Sequence, residues 1–340
     1  MARIVIELTN SCNLSCGHCF DERHAATGDL SLEILDKVLR EGKSCGIDQL
    51  SFTGGEPTLH RRFRDIVDRV SEAGYSFSFV SNGTTFPKIY SLLHKHRRSF
   101  LGVTFSLDGA REETHDRLRG KGSYRRVMRA ASICVLKELP FTFNMVLTAD
   151  NRNEVSEMVW VAERLGSAGL RFGHLMPTPS IAMRKLDMSP EQRRQVEFQI
   201  WQLKKNAAIP VGMAPGYFSE RALFPCGPLE LEEYNLDYKG NLTLCCQLSG
   251  HSGNGEGADI VGNLNNISLA EACLRFRRRV ASYLADKQDK ISRGGLSELD
   301  YFPCWYCLKY LGKTSWLDHF PNHPWRAADQ IGGKEAQGTC

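Results

Sequence analysis

The stretch IVIELTNSCNLSCGHCF, Ile4–Phe20, sets a short apolar run directly against three cysteines, Cys12, Cys16 and Cys19. A short run rich in β-branched residues, closed by polar turn residues, suits a buried strand, so Ile4–Leu8 reads as one. The cysteines then lie in the loop leaving the strand's C-terminal end. Three thiolates within eight residues can wrap a cubic iron–sulfur cluster, one sulfur to each corner iron, and leave the fourth iron open to an external molecule. A structural zinc ion wants a fourth protein ligand and a closed tetrahedron. His18 is the nearby candidate, poorly placed between Cys16 and Cys19 to join both.

Outward from this loop the pattern repeats. Runs at Leu50–Phe52, Phe77–Val80, Val103–Leu107, Phe141–Leu147 and Leu170–Leu175 alternate with helical stripes. Leu59, Phe63, Ile66, Val67 and Val70 form one stripe; Val155, Met158, Val159, Ala162 and Leu165 form another. Strand–helix alternation of this kind predicts parallel strands joined by crossover helices, as a doubly wound sheet or a full or partial barrel. Gly54, Gly55, Gly83 and Gly109 follow strands, so the unusual loops lie at the strand C-terminal ends, where both architectures bind ligands. After Pro177–Pro179 the rhythm stops. A helix over Glu191–Lys205, a Pro- and Gly-rich segment Pro210–Pro228, a hairpin of Tyr234–Tyr238 and Asn241–Cys245, a small-residue loop Ser249–Gly257, a helix over Leu269–Val280 and a loose polar tail past Pro324 are expected.

The chain has 340 residues, 42% apolar and 24% charged, which excludes wholesale disorder. Forty-three Lys and Arg against 39 Asp and Glu leave a net charge of +4, too small to mark a nucleic-acid or anionic-membrane surface. No apolar run approaches the ~18 residues of a membrane helix, and Glu7 interrupts the first run before any signal-peptide body forms. A soluble, cytoplasmic protein with no nucleic-acid or membrane partner is expected. Twelve cysteines in such a chain argue for metal rather than disulfides.

The Cys12-x3-Cys16-x2-Cys19 loop with Phe20 behind it resembles the signature of the radical S-adenosylmethionine (SAM) enzymes. The likeness extends to Phe52-Thr-Gly54-Gly55-Glu56-Pro57, Val80-Ser81-Asn82-Gly83 and Phe105-Ser106-Leu107-Asp108-Gly109, followed by His115-Asp116 and Arg119-Gly120. It covers about residues 3–176. It implies a partial (β/α)6 TIM-like barrel, a 4Fe–4S cluster on Cys12, Cys16 and Cys19, and SAM chelating the open iron. Reductive cleavage of SAM to methionine and a 5′-deoxyadenosyl radical would then drive hydrogen abstraction. In this resemblance the backbone of Gly54 and Gly55 approaches the methionyl ammonium and Glu56 is an anionic partner or a loop brace. Asn82, Ser106 and Asn144 contact ribose or carboxylate, or are ordinary strand-end polar groups.

Cys226, thirteen residues, Gly240, four residues and Cys245 resemble the cysteine–glycine–cysteine signature of twitch and SPASM extensions, with Gly240 as the hairpin turn. Cys304 and Cys307 complete four ligands for one auxiliary 4Fe–4S cluster; zinc is the alternative occupant. Lys313 stands where the full SPASM pattern has a further cysteine, so a second auxiliary cluster is not expected. Cys246, next to Cys245 on a strand, should face away and pack, with an exchange of roles between the two as the alternative. Cys45, Cys134 and Cys273 read as buried small hydrophobes, and Cys340 is unassigned. The resulting domain reading is a core over 1–180, a helical linker over 181–225, an auxiliary-cluster domain over 226–325 and a polar tail over 326–340.

The resemblance implies net oxidation or bond formation assisted by the auxiliary cluster, with an external one-electron donor of the flavodoxin or ferredoxin type. The start at strand one, without a peptide-binding domain, favours a small-molecule substrate. The alternatives are a maturase of ribosomal peptides and, outside the enzymes, a zinc-stabilised binding module. His115, Asp116, His174 and Tyr238 are candidate acid–base groups, none of them assigned.

Overall fold

The computed structural model describes residues 2–19, 27–249 and 257–326. Seven parallel strands follow one another across the sheet: β1 (Ala2–Thr9), β2 (Ile47–Gly54), β3 (Ser76–Ser81), β4 (Phe100–Ser106), β5 (Phe141–Leu147), β6 (Leu170–His174) and β7 (Val211–Met213). The crossovers are α1 (Leu32–Glu41), α2 (Phe63–Glu72), α3 (Phe86–Lys95), the pair α4 (Glu112–Arg119) and α5 (Ser123–Lys137), α6 (Val155–Arg164), and then the short α7 (Pro179–Met183) with α8 (Pro190–Asn206). The expected α/β partial barrel is therefore present. β7, only three residues long, is too short to leave a periodic signal in the Pro- and Gly-rich segment.

Each central strand has two unlike faces. On β5, Phe141, Phe143, Met145 and Leu147 are buried while Thr142, Asn144 and Val146 are half-buried. The aromatic face lies under the helices. Phe63 of α2 meets Phe79 edge-on at 5.8 Å, and Phe86 of α3 meets Phe105 at 5.1 Å. The opposite, concave face carries hydroxyls, with Ser78 bonded to Ser51 at 3.3 Å and Thr104 to Thr142 at 2.9 Å. Barrel interiors of this class are usually filled by bulky branched side chains; small polar ones leave a concave surface suited to a polar ligand.

The C-terminal segment joins the same sheet. β8 (Glu233–Leu236) runs parallel to β1, and β9 (Asn241–Thr243) and β10 (Ile260–Asn263) continue it antiparallel, giving the order β10-β9-β8-β1-β2-β3-β4-β5-β6-β7. The end strands β10 and β7 are not neighbours in that order, so the barrel stays open. Gly240 turns the β8–β9 hairpin at φ +86, and a Cβ there would lie 2.6 Å from Ile34 Cδ1 on α1. Glycine thus supplies both the left-handed turn and the close approach. α9 (Leu269–Ser292) packs on α1 and runs twelve residues past the expected end at Val280. Its buried stripe continues through Tyr283 and Lys287, which do not read as apolar. α10 (Pro303–Tyr310) follows. Tyr234, Phe276, Phe302, Trp305 and Trp325 share one continuous core with the barrel strands.

Candidate functional site

The three-cysteine loop leaves β1 and is clamped by the loop after β2. Gly55 N–H donates to the Thr9 carbonyl and Glu56 N–H to that of Ser11, each at 2.8 Å. A Cβ on Gly54, at φ +140, would lie 2.1 Å from the Thr9 oxygen, and one on Gly55 2.2 Å from the Ser11 oxygen. The missing side chains are thus required by the protein's own cysteine loop, before any approach of a ligand's ammonium. Glu56 ties these loops together. Its buried carboxylate accepts from Thr58 Oγ1 at 2.6 Å, Ser81 Oγ at 3.0 Å and Asn82 N–H at 2.8 Å. Burial pushes its pKa up against those hydrogen bonds. Asn82 Nδ2 donates to Asn13 Oδ1 at 2.8 Å and lies 3.9 Å from Cys12 Sγ, while its Oδ1 accepts from Thr84 N–H at 3.0 Å. Asn82 therefore ties the β3 loop to the cysteine loop. Ser106 and Asn144 are register partners on β4 and β5, two residues beyond Thr104 and Thr142 on the concave face.

The mouth also holds a charged group that the sequence reading quoted but did not assign. Asp108 is fully buried; its carboxylate accepts from Val146 N–H at 2.8 Å, meets His18 Nε2 at 3.0 Å and forms an ion pair with Arg119. Burial pushes the Asp108 carboxyl up, but Arg119 and His18 more than offset it and hold it well below the usual range. Arg119 places a guanidinium N–H 3.9 Å from Cys16 Sγ, and the Leu118 carbonyl accepts Gly17 N–H at 2.7 Å. The end of α4 thus grips the cysteine loop, with Arg119-Gly120 as its only trace in the sequence. His18 is turned to Asp108 and Arg119, consistent with its poor placement for zinc.

The acid–base candidates occupy structural positions. His115 Nδ1 accepts from Asp108 N–H at 3.0 Å, and burial pulls its pKa down to about 4. Asp116 accepts from Tyr124 N–H at 2.9 Å and Ser123 Oγ at 3.1 Å, capping α5. His174 shares the face of Leu170 and Phe172, away from the concave surface, and a Cβ on Gly216 would lie 2.1 Å from its ring. Tyr238 packs on Gly28.

The second cysteine set also converges. The Cys226 thiol interacts with Cys307, Cys304 with Cys307 and Cys226, and Cys245 with Cys304. Burial pushes Cys226 up to about 12 and Cys16 up to about 11, so a cationic centre is needed to hold either as thiolate. Cys246 differs from expectation. β9 ends at Thr243, so strand alternation does not govern it, and its thiol neighbours both Cys245 and Cys304. Lys313 forms a fully buried ion pair with Asp259 at 2.8 Å. Cys134 and Cys273 are buried as expected, while Cys45 is half-buried and hydrogen-bonded to Cys273. Phe20 and Cys340 lie outside the described residues, as does all of the expected tail except Arg326. Among the described residues, no three His, Cys, Asp or Glu converge tightly enough to hold a single metal ion.

The N-terminal set fits a cluster, since amide and guanidinium N–H groups approach two of its three sulfurs, as outer-shell donors to iron–sulfur thiolates do. A parallel partial barrel ending its first strand in such a loop defines a cluster-binding α/β protein. Residues 6–159 match the Radical SAM superfamily. The AdoMet-dependent heme synthase of Methanosarcina barkeri is 29% identical over 224 residues, 63% of this chain and 62% of that one. Mycofactocin maturase MftC of Mycobacterium tuberculosis is 28% identical over 209 residues, 61% of this chain and 53% of that one. The matches thus span between half and two thirds of those relatives. The fold is also that of native anSMEcpe with bound AdoMet and Kp18Cys peptide, at TM-score 0.64 and 18% identity over 97% of this chain and 99% of that one. Residues 6–159 of the chain thus carry a radical SAM domain. Members of this superfamily are enzymes that bind a 4Fe–4S cluster and SAM. Among the described residues, no helix is long and apolar enough to cross a membrane.

Proposed function

We propose that this chain is a radical SAM enzyme whose mouth, built on Cys12, Cys16 and Cys19, holds the SAM-binding 4Fe–4S cluster. The observation carrying this reading is the approach of the Asn82 amide to Cys12 and of the Arg119 guanidinium to Cys16, each at 3.9 Å, with Cys19 near enough to act on both thiols. When bound, cluster and SAM supply a one-electron C–S cleavage that yields a hydrogen-abstracting 5′-deoxyadenosyl radical. The protein's own groups orient and enclose: Glu56 and Asn82 fix the loops, Gly54 and Gly55 allow their close packing, and Arg119 offers positive charge to a carboxylate. Ser106 and Asn144 face the ligand side with their hydroxyl and amide. Cys226, Cys245, Cys304 and Cys307 hold one auxiliary 4Fe–4S cluster that assists net oxidation or bond formation. In this reading residues 1–180 are the core, 181–225 the linker and 226–325 the auxiliary-cluster domain, and a flavodoxin- or ferredoxin-type protein supplies electrons.

The substrate we favour is a peptide, since the likeness to peptide-bound anSMEcpe covers nearly the whole chain and MftC is named a maturase. A small-molecule substrate is the second reading, supported by the heme synthase. Anaerobically reconstituted protein should hold about eight irons per chain and release 5′-deoxyadenosine when reduced with SAM and candidate peptides. Zinc in place of iron at the second set would return the binding-module reading, and a clustered, reduced sample that leaves SAM intact with peptide and small-molecule candidates alike would end the enzymatic one.

A further inference from the structure

Three polar side chains lie by the second cysteine set, and neither of the two cations among them makes an ion pair among the described residues. Tyr283 on α9 brings its hydroxyl to 3.2 Å from Cys307 Sγ. One turn on, Lys287 is 3% exposed, with its ammonium 4.2 Å over the Tyr306 ring. Among the described residues it makes no ion pair, because the nearby Asp300 carboxylate is held by Lys290 at 3.0 Å and Lys309 at 2.9 Å. From α8, Arg193 is 2% exposed and lies 4.4 Å over Trp325; it donates to the carbonyls of Leu175 at 3.1 Å and Gly216 at 3.2 Å, and its Nε has no partner among the described residues. Burial pushes the Cys307 thiol up, while the Tyr283 hydrogen bond and the Lys287 charge oppose it; Arg193 acts likewise on Cys304.

A buried cation without a carboxylate costs several kcal/mol unless some other anion faces it. Lys287 makes no ion pair among the described residues, and Arg193 makes none either, although the Asp187 and Glu197 carboxylates act on it from further away; the two charges beside the cysteines point to an anionic occupant. We propose that Arg193, Lys287 and Tyr283 form the electrostatic cage of the auxiliary centre and hold its reduction potential up, which suits that centre to accept an electron. The proposal rests on the reading that Cys226, Cys245, Cys304 and Cys307 hold a four-iron cluster. One-electron reduction adds one negative charge to the centre, with no bond made or broken and no proton moved. Two fixed positive charges and an O–H donor to a ligand sulfur stabilise that added charge, the known levers on cluster potential.

The test uses the full chain carrying Cys12→Ser, Cys16→Ser and Cys19→Ser, so that the auxiliary centre alone takes iron, followed by an EPR-monitored redox titration. Lys287→Met and Arg193→Met should each lower the equilibrium constant for reduction about tenfold, a fall in midpoint of about 59 mV. Tyr283→Phe should shift it the same way by less, and Lys287→Arg should keep the parent value. Tyr283→Phe and Lys287→Arg preserve volume or charge, so they decide the matter even if a methionine variant fails to fold. Unchanged midpoints with about four irons retained would overturn the proposal. A parent chain that binds zinc or no iron would instead overturn the cluster reading beneath it.

Discussion

Gly55 shows how much rests on single residues at the mouth. A methyl group there would press on the Ser11 carbonyl oxygen at 2.2 Å, and because that atom is backbone the cysteine loop must move. Gly55→Ala should leave the protein with about four irons per chain instead of about eight, the auxiliary set unaffected, as iron and sulfide analysis would show. His115 sets a pH dependence. Its pKa falls from 6.5 to about 4 on folding because the ring is buried, so the unfolded chain takes up a proton first as pH drops. Stability is full above pH 6.5 and declines from there toward pH 4, by about 2 kcal/mol at pH 5. The urea midpoint of His115→Asn, which keeps an acceptor for Asp108 N–H, should fall less between pH 7.5 and pH 5 than that of the parent. The cysteines were legible in the sequence because few residue types ligate iron and their spacing is short. Arg119 and Asp108 were not assignable, since their approach to Cys16 is made only by the turn of α4 onto the loop.

At the level of elements, hydrophobic periodicity located the first six strands and most helices but missed β7 and β10 and misjudged α9. Its buried face ends in Tyr283 and Lys287, and the lysine is covered by the neighbouring α10, whose Tyr306 ring lies 4.2 Å from its ammonium. The same limit hid the function of Lys313, which follows α10 and reaches Asp259 just before β10. Removing one partner of a fully buried pair strands the other charge. Lys313→Met should therefore cost about 3–5 kcal/mol in urea unfolding, and Lys313→Met with Asp259→Leu distinctly less than the single change. Equal losses in the single and double variants would show that the pair is not coupled.

Across the whole molecule, the C-terminal half completes the sheet of the N-terminal half. β8 lies parallel to β1 from Arg3 to Ile6, on the edge that would otherwise be bare. A chain cut after residue 214 should thus lose cooperative unfolding or aggregate, while the full chain stays monodisperse by size-exclusion chromatography and resists limited proteolysis. Separable halves, each folding alone, would contradict this. By itself the sequence determined the parallel α/β class, the cysteine loop at the end of β1 and the second cysteine set, because strand period, glycine turns and thiolate spacing are local properties. The tertiary structure alone decided that Cys246 stands with Cys245, that His174 faces the core, that the concave surface is lined with hydroxyls, and that the Arg193 guanidinium lies over Trp325 and the Lys287 ammonium over Tyr306. Those are contacts between segments far apart in the chain, and local propensity carries no record of which distant side chains will share a buried, low-dielectric space.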